Sequence, residues 1–340
     1  KVVIGQNGTY YLRHTDEAGN KSGVKQIVIT NIDKEAPQPF TININKTSKK
    51  IVINGNTTDN VTSPANLVYK YSIDGENYQD SNEFDNLVPK TYKCYVKVKD
   101  EAGNERIVTK EVEIEKLPKP TYTLSKTEKT NQNVVITITN TGGELELKEN
   151  GVWAPYVGNT ITATENKKLV LRYSDGFNNS EELDVNINNI DKIRPNDFTV
   201  NVVKTTRKIT VSGTTTDNKT PANRIKYQYS IDGENYQDSN EFDNLVPKKY
   251  EVSVKAIDEA GNYRIETKEV EIEKIPDVNY TLSTTSKTNQ NVLITFTNIE
   301  GLTLQVKEND AWVNKTSPYT VESNKTLTFR YSDGFNIGKE

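Results

Sequence analysis

"TYKCYVKVKDEAGNERIVTKEVEIE" spans Thr91–Glu115, and its reading decides the fold. Tyr92, Cys94, Val96 and Val98 alternate with Lys93, Tyr95 and Lys97; beyond a short break, Val112 and Ile114 alternate with Glu111 and Glu113. A period of two with one apolar face is the pattern of a half-buried strand. "DEAGN" joins the two runs. Asp100 there can accept hydrogen bonds from the amides that follow, and Gly103 can take left-handed backbone. Upstream, "YSIDGENYQDSNEFDNLVPK" (Tyr71–Lys90) predicts a second tight turn at "DGEN", ending one strand at "YSID" and opening another at "NYQD". Leu87–Tyr92 has the composition of a tyrosine corner, in which a phenol caps nearby backbone.

The twenty residues Tyr71–Lys90 return letter for letter at Tyr229–Lys248, an offset of 158. "NIDKEAP" (Asn31–Pro37) recurs as "NIDKIRP" (Asn189–Pro195), "DEAGN" at Asp258–Asn262 and "KTNQNV" at Lys129 and Lys287 with the same offset. A repeat of that length is two small domains. "VEIEKLPKP" and "VEIEKIP" divide it into types A and B. The expected order is 1–32, the second half of a type B module; 33–117, type A; 118–190, type B; 191–275, type A; and 276–340, type B without its last strand. Residue 1 is Lys, so an internal window of a longer protein is expected.

Alternation with period two continues through Ile51 and Ile53, Leu67 to Ile73, Val134 to Ile138 and Leu169 to Tyr173. No stretch holds a helical period. About seven short strands in some 80 residues read as a β-sandwich. The expected fold is all-β: tandem immunoglobulin-like β-sandwiches arranged as an elongated rod.

"YSIDGENYQ…FDNLVPKTYKCYVKVKDEAGN" resembles the fibronectin type III and bacterial immunoglobulin-like modules of surface proteins, though type A lacks their usual early core Trp. "YTLSKTEKTNQNVVITITN…NNIDKIRP" is similar to a second bacterial Ig-like repeat that alternates with the first. The resemblance implies an extracellular tandem array, as in adhesins, surface-layer-associated proteins and secreted glycoside hydrolases. It also raises the Lys–Asn isopeptide bond of such modules. That bond needs a Lys, an Asn and a carboxylate buried together, whereas inward positions here are apolar.

Composition bounds function. The 340 residues are 33% hydrophobic with a net charge of −4, too few apolar side chains for one large core and no basic face for nucleic acid. No apolar run is long enough for a membrane helix. One Cys, one His and no Met exclude a zinc site of four cysteines, or of two cysteines and two histidines, and suit an oxidising, extracellular setting. His14 stands in phase with Tyr173 and Tyr331, so a place at a core edge is expected. Cys94 stands where the other A copy has Val252, and is expected to be buried. Trp153 and Trp312 could stack on a sugar, but beside hairpin turns they are expected to lie on a sheet face. An EF-hand register fails in "DGENYQDSNEFDN", because Gly75 follows Asp74 at once. No nucleophile–base pair has usable spacing, and no enzyme activity is expected.

One metal candidate remains. In an Ig-type sandwich the incoming linker, the B–C loop and the F–G turn share one pole. They carry Asp33, Asp59 and Asp100 in the first type A module, and Asp191, Asp217 and Asp258 in the second. Calcium is the candidate cation; turn capping is the competing account. The "TTDN" loop reads as long enough to move, which sets the expected dissociation constant on the order of 10⁻⁴ to 10⁻³ M. Type B has no such set, so the linkers that enter it are expected to stay flexible. The function expected is a structural stalk. The alternatives are a surface-layer or filament subunit completed by strand exchange, accessory modules of a secreted hydrolase, and adhesin modules. Expected partners are neighbouring copies of the chain, or a host or cell-surface protein or glycan.

Overall fold

A computed structural model describes residues 1–297 and 299–340. The chain forms two compact units. One comprises residues 1–123, 136–161 and 167–186; the other comprises 124–135, 162–166 and 187–340. Secondary structure is almost entirely strand, with single 3₁₀ turns at Pro64–Asn66 and Ala222–Arg224.

In the first unit, two three-stranded sheets enclose one core. Asn43–Lys46, Ile51–Asn54 and Glu83–Phe84 make one sheet, in that order; Val68–Ser72, Lys90–Lys99 and Glu105–Ile114 make the other. The hairpin read from the sequence is the longest ladder, running from Lys90 opposite Ile114 to Lys99 opposite Glu105. Tyr92, Cys94, Val96 and Val98 face inward against Ile51, Ile53, Leu67 and Ile114. The second unit repeats the arrangement with Val252 and Val254 against Ile209, Val211 and Ile272. It also holds a sandwich of two further three-stranded sheets, built on Val292–Thr297 and Thr303–Glu308. Leu304, Phe296 and Tyr331 fill that core. The molecule is a tandem array of immunoglobulin-like, fibronectin type III-like β-sandwiches.

The repeated twenty residues build the same turn twice. Gly75 and Gly233 take φ of +83° and +77°. The Asp74 carboxylate accepts from the Asn77 side chain, the Asn77 and Glu76 amides and the Ser72 hydroxyl, which holds its carboxyl well below the usual range. Its oxygens are thus used by its own turn. "NYQD" does not open the strand expected of it: Gln79 makes an isolated bridge back to Tyr71, and the chain then crosses to Ile51–Asn54 through Glu83–Phe84. Both tyrosine corners form. Tyr92 and Tyr250 donate to the carbonyls of Val88 and Val246 at 3.1 and 2.9 Å.

His14, expected at a core edge, is exposed among the described residues, beside a ribbon in which Gly8–Leu12 pairs with Lys25–Ile29. Trp153 and Trp312 lie on sheet faces beneath the guanidinium groups of Arg172 and Arg330, 4.1 and 4.0 Å from the ring centroids. That cation covers one face of each ring.

Two expected results arise from the cores. Cys94 is fully buried, and burial pushes its thiol up to about 11. A bulky thiol reagent will therefore label native protein at least about tenfold more slowly than denatured protein, because the thiolate is the nucleophile and must first be exposed. Equal rates would place the thiol at the surface. Ser253, where the first copy has Tyr95, is buried with a hydroxyl that has no hydrogen-bond partner. Ser253→Ala removes an unpaired polar group and will leave stability unchanged or raise it by about 1 kcal/mol. A loss in the chemical-denaturation midpoint would show that the hydroxyl is bonded.

Candidate metal centre

The six aspartates gather as two triads. One oxygen from each of Asp33, Asp59 and Asp100 lies within 4.8 Å of the other two, and Asp191, Asp217 and Asp258 do the same. Each residue arrives on a different segment for a local reason. Asp59 and Asp217 cap their loops: one carboxylate oxygen of each accepts the amides two and three residues on, at 2.8–2.9 Å. Asp100 and Asp258 close the F–G turns, accepting from the amide and side chain of Asn104 and Asn262, all at 2.8 Å. Asp33 and Asp191 accept from Glu35 and Ile193.

Turn capping uses only part of this set. Oδ2 of Asp33, Oδ1 of Asp59, Oδ2 of Asp191 and Oδ1 of Asp217 are buried without any partner. Asp100, Asp191 and Asp258 are 4%, 3% and 5% exposed. Among the described residues, none of the six is paired with a lysine or arginine. Three carboxylates drawn together with orphaned, desolvated oxygens are costly unless a cation compensates them. All-oxygen donors with no thiolate or imidazole suit a hard divalent ion. The residues therefore fit a cation, and the capping account leaves the orphaned oxygens unexplained.

The "TTDN" loop is fastened by hydrogen bonds that the reading of its length did not include. The Tyr69 hydroxyl accepts the Thr57 amide at 3.1 Å, and the Thr57 hydroxyl donates to the Gln38 carbonyl at 2.6 Å. The buried Thr62 hydroxyl accepts the Glu101 amide, stitching this loop to the F–G turn. Tyr227, Thr215 and Thr220 repeat these bonds in the second copy. The ring of Tyr69 lies in the alternating pattern, but nothing in that pattern reveals what its hydroxyl holds.

The sequence also hid a set of asparagines. Asn7 and Asn166 each clamp the residue before a site aspartate. Their side chains donate to the carbonyls of Ile32 and Ile190, at 2.8 and 2.9 Å, and accept the same residues' amides. Asn262 donates to the Asp191 carbonyl at 3.0 Å. Type B carries bonds of its own to type A, which the expectation of flexible linkers into it did not include. Asn178, buried, donates to the carbonyls of Leu87 and Ser48 at 2.9 and 3.1 Å, and Lys49 donates to the Asp175 carbonyl. Asn336 makes the matching bonds to Leu245 and Thr206. Asparagine in a "DGFNN" turn signals only a loop, so composition could not show this role.

Fold and triads together define a class: an Ig-like tandem array with carboxylate clusters at the poles of its type A modules. No protein-family model matches the chain, and no curated protein matches it. Among solved structures it is similar to the FN1–FN3 domains of chicken CNTN1, at 14% identity over 70% of this chain and 99% of that one, with a TM-score of 0.26. It is similar to a tetra-tandem repeat from the extending region of a large adhesion protein: 14% identity, 88% and 96% coverage, TM-score 0.28. A third is a Ca²⁺-stabilised adhesin with which an Antarctic bacterium reaches out and binds ice: 17% identity, 84% and 86% coverage, TM-score 0.27. At scores this low, the triads stand on their own geometry.

Proposed function

We propose that the chain is a spacer of an extracellular or cell-surface protein, and that calcium at the two aspartate triads fixes the linkers entering its type A modules. The observation that carries the calcium part is the set of buried, unpartnered carboxylate oxygens within each triad. Asp33, Asp59 and Asp100 hold one ion; Asp191, Asp217 and Asp258 hold the other. Bound calcium would supply the positive charge that offsets the mutual repulsion of three carboxylates. The spacer part is supported by modules that each bury their own core and by proline-containing linkers, which restrict hinge angles. In this reading the modules themselves carry no catalysis. They set distance and stiffness, and any partner is a neighbouring copy or a surface protein or glycan.

Calorimetric titration of chelator-treated protein with calcium chloride, together with solution scattering, tests the proposal. The expected result is two ions per chain and a maximum dimension that is longer and better defined with calcium than with EGTA. No binding would remove the calcium part. A collapsed, variable dimension in both conditions would remove the spacer.

A further inference from the structure

We infer that a cation held by Asp191, Asp217 and Asp258 also locks the closing segment, residues 189–191, of the type B module that precedes it. The inference rests on the calcium reading above and adds a target for its effect: a module that contributes no ligand from its own core.

Asp191 belongs to two structures at once. Its side chain is part of the triad. Its backbone ends a patch that knits the first and last segments of the type B module together. There Thr130 pairs in parallel with Ile190. The Thr130 amide donates to the Asn189 carbonyl at 2.9 Å, and the Asp191 amide donates to the Thr130 carbonyl at 2.8 Å. The Asn189 side chain donates to the carbonyls of Lys126 and Glu128 at 3.1 and 2.9 Å. Asn166 grips Ile190 by both its amide and its carbonyl. Lys219 adds a third hold: its ammonium donates to the Ile190 carbonyl at 2.7 Å, while its backbone amide donates to Asp217.

A paired segment opens from its end. The last strand of the module is Leu183–Ile187, and the bridge of Ile190 to Thr130 lies beyond it. The residue that ends this bridged patch carries a triad carboxylate, so holding the carboxylate disfavours opening of the Asp191–Thr130 bond. The parallel pairing adds a mechanical consequence. When the chain is pulled from both sides, bonds between parallel terminal segments are loaded in shear and must break together rather than one by one. The cation sits at the end of that patch. Coupling is reciprocal: whatever the ion adds to the segment, an intact segment must add to the ion's affinity.

Hydrogen exchange on the full chain, in about 10 mM calcium chloride and in EGTA, reads this out at the amides of Thr130 and Ile190. Neither residue is a ligand, and both bonds lie outside the triad. Calcium is expected to slow both amides by about tenfold or more, the scale of a typical coupling. Asp217→Asn, which keeps the loop cap but not the charge, is expected to abolish the slowing. In the reverse direction, Asn166→Ala, with the isosteric Asn166→Asp as a second variant, is expected to weaken calcium binding at this triad by roughly five- to tenfold. The Asp33 triad, clamped by Asn7, should keep its affinity. If calcium titrates both triads yet Thr130 and Ile190 exchange at the same rate with and without it, the inference fails and the binding sites stand. If calcium does not bind, both fall together.

Discussion

Calcium at about 10 mM will raise the melting temperature of the type A modules by roughly 6–20 °C over the protein in EGTA. An ion bound only to the folded state stabilises it by about 1.4 to 2.7 kcal/mol when present at roughly 10 to 100 times its dissociation constant. For a domain of this size each kcal/mol moves the midpoint by about 4–8 °C. The same triad predicts a crossover. At an effective dielectric near 20, two unit charges about 5 Å apart repel by about 3 kcal/mol. The double variant Asp59→Asn, Asp217→Asn relieves part of that repulsion and keeps an oxygen to accept the capping amides. It should melt higher than the parent in EGTA and lower than the parent in calcium. Magnesium, which demands a small octahedral shell and gives up water reluctantly, should do less than calcium. Identical melting with calcium and chelator would leave the triads as turn caps. A variant destabilised in both conditions would show that the orphaned oxygens have protein partners.

Asn178→Ala will destabilise the unit that holds it by about 2–4 kcal/mol. The buried side chain satisfies two carbonyls, those of Leu87 and Ser48. Each buried carbonyl left without a partner costs about 1–3 kcal/mol. The methyl of alanine cannot replace the donor. Asn178→Asp is the sharper variant. It preserves shape and reverses the polarity, setting a carboxylate against carbonyl oxygens, and should cost at least as much. Trp153 lies in the same compact unit as Asn178 and can be followed alone in a Trp312→Phe background. A shift of its urea transition by less than about 0.5 kcal/mol would show that the contact is replaceable. Asn336→Ala should behave the same way, since its bonds to Leu245 and Thr206 match those of Asn178 in length.

The strands were legible because their signal is redundant. Cys94, Val96 and Val98 declare one buried face by period alone, and the second copy declares it again with Val252 and Val254. The triads were legible for a topological reason. Three segments that end at one pole of a sandwich must bring their aspartates together, whatever the side-chain detail. What the sequence did not show is what each polar side chain bonds. Asn178 and Asn179 are adjacent, and both read as turn residues. Only Asn178 is buried against carbonyls far away in the chain, at Leu87 and Ser48. The Tyr69 hydroxyl and the Thr62 hydroxyl are similar cases: their rings and methyls fit the apolar pattern, while their oxygens fasten loops. The "NYQD" segment misled for the opposite reason. Its turn chemistry is that of a hairpin, but after Gln79 the chain leaves for the other sheet.

Two cores that contain the same twenty residues are interchangeable partners while the chain folds. Tyr71–Lys90 and Tyr229–Lys248 offer the same side chains to either core. Identical neighbours in tandem arrays are prone to such exchanges during folding. Here the copies are separated by an offset of 158 residues, with a type B module of different sequence between them. At roughly 5–20 residues per second of synthesis, the second copy emerges about 8–30 s after the first. Small β-sandwiches fold in milliseconds to seconds. Where folding keeps pace with synthesis, the first core closes before its rival exists, and alternation turns a competition between identical partners into an ordered sequence of events.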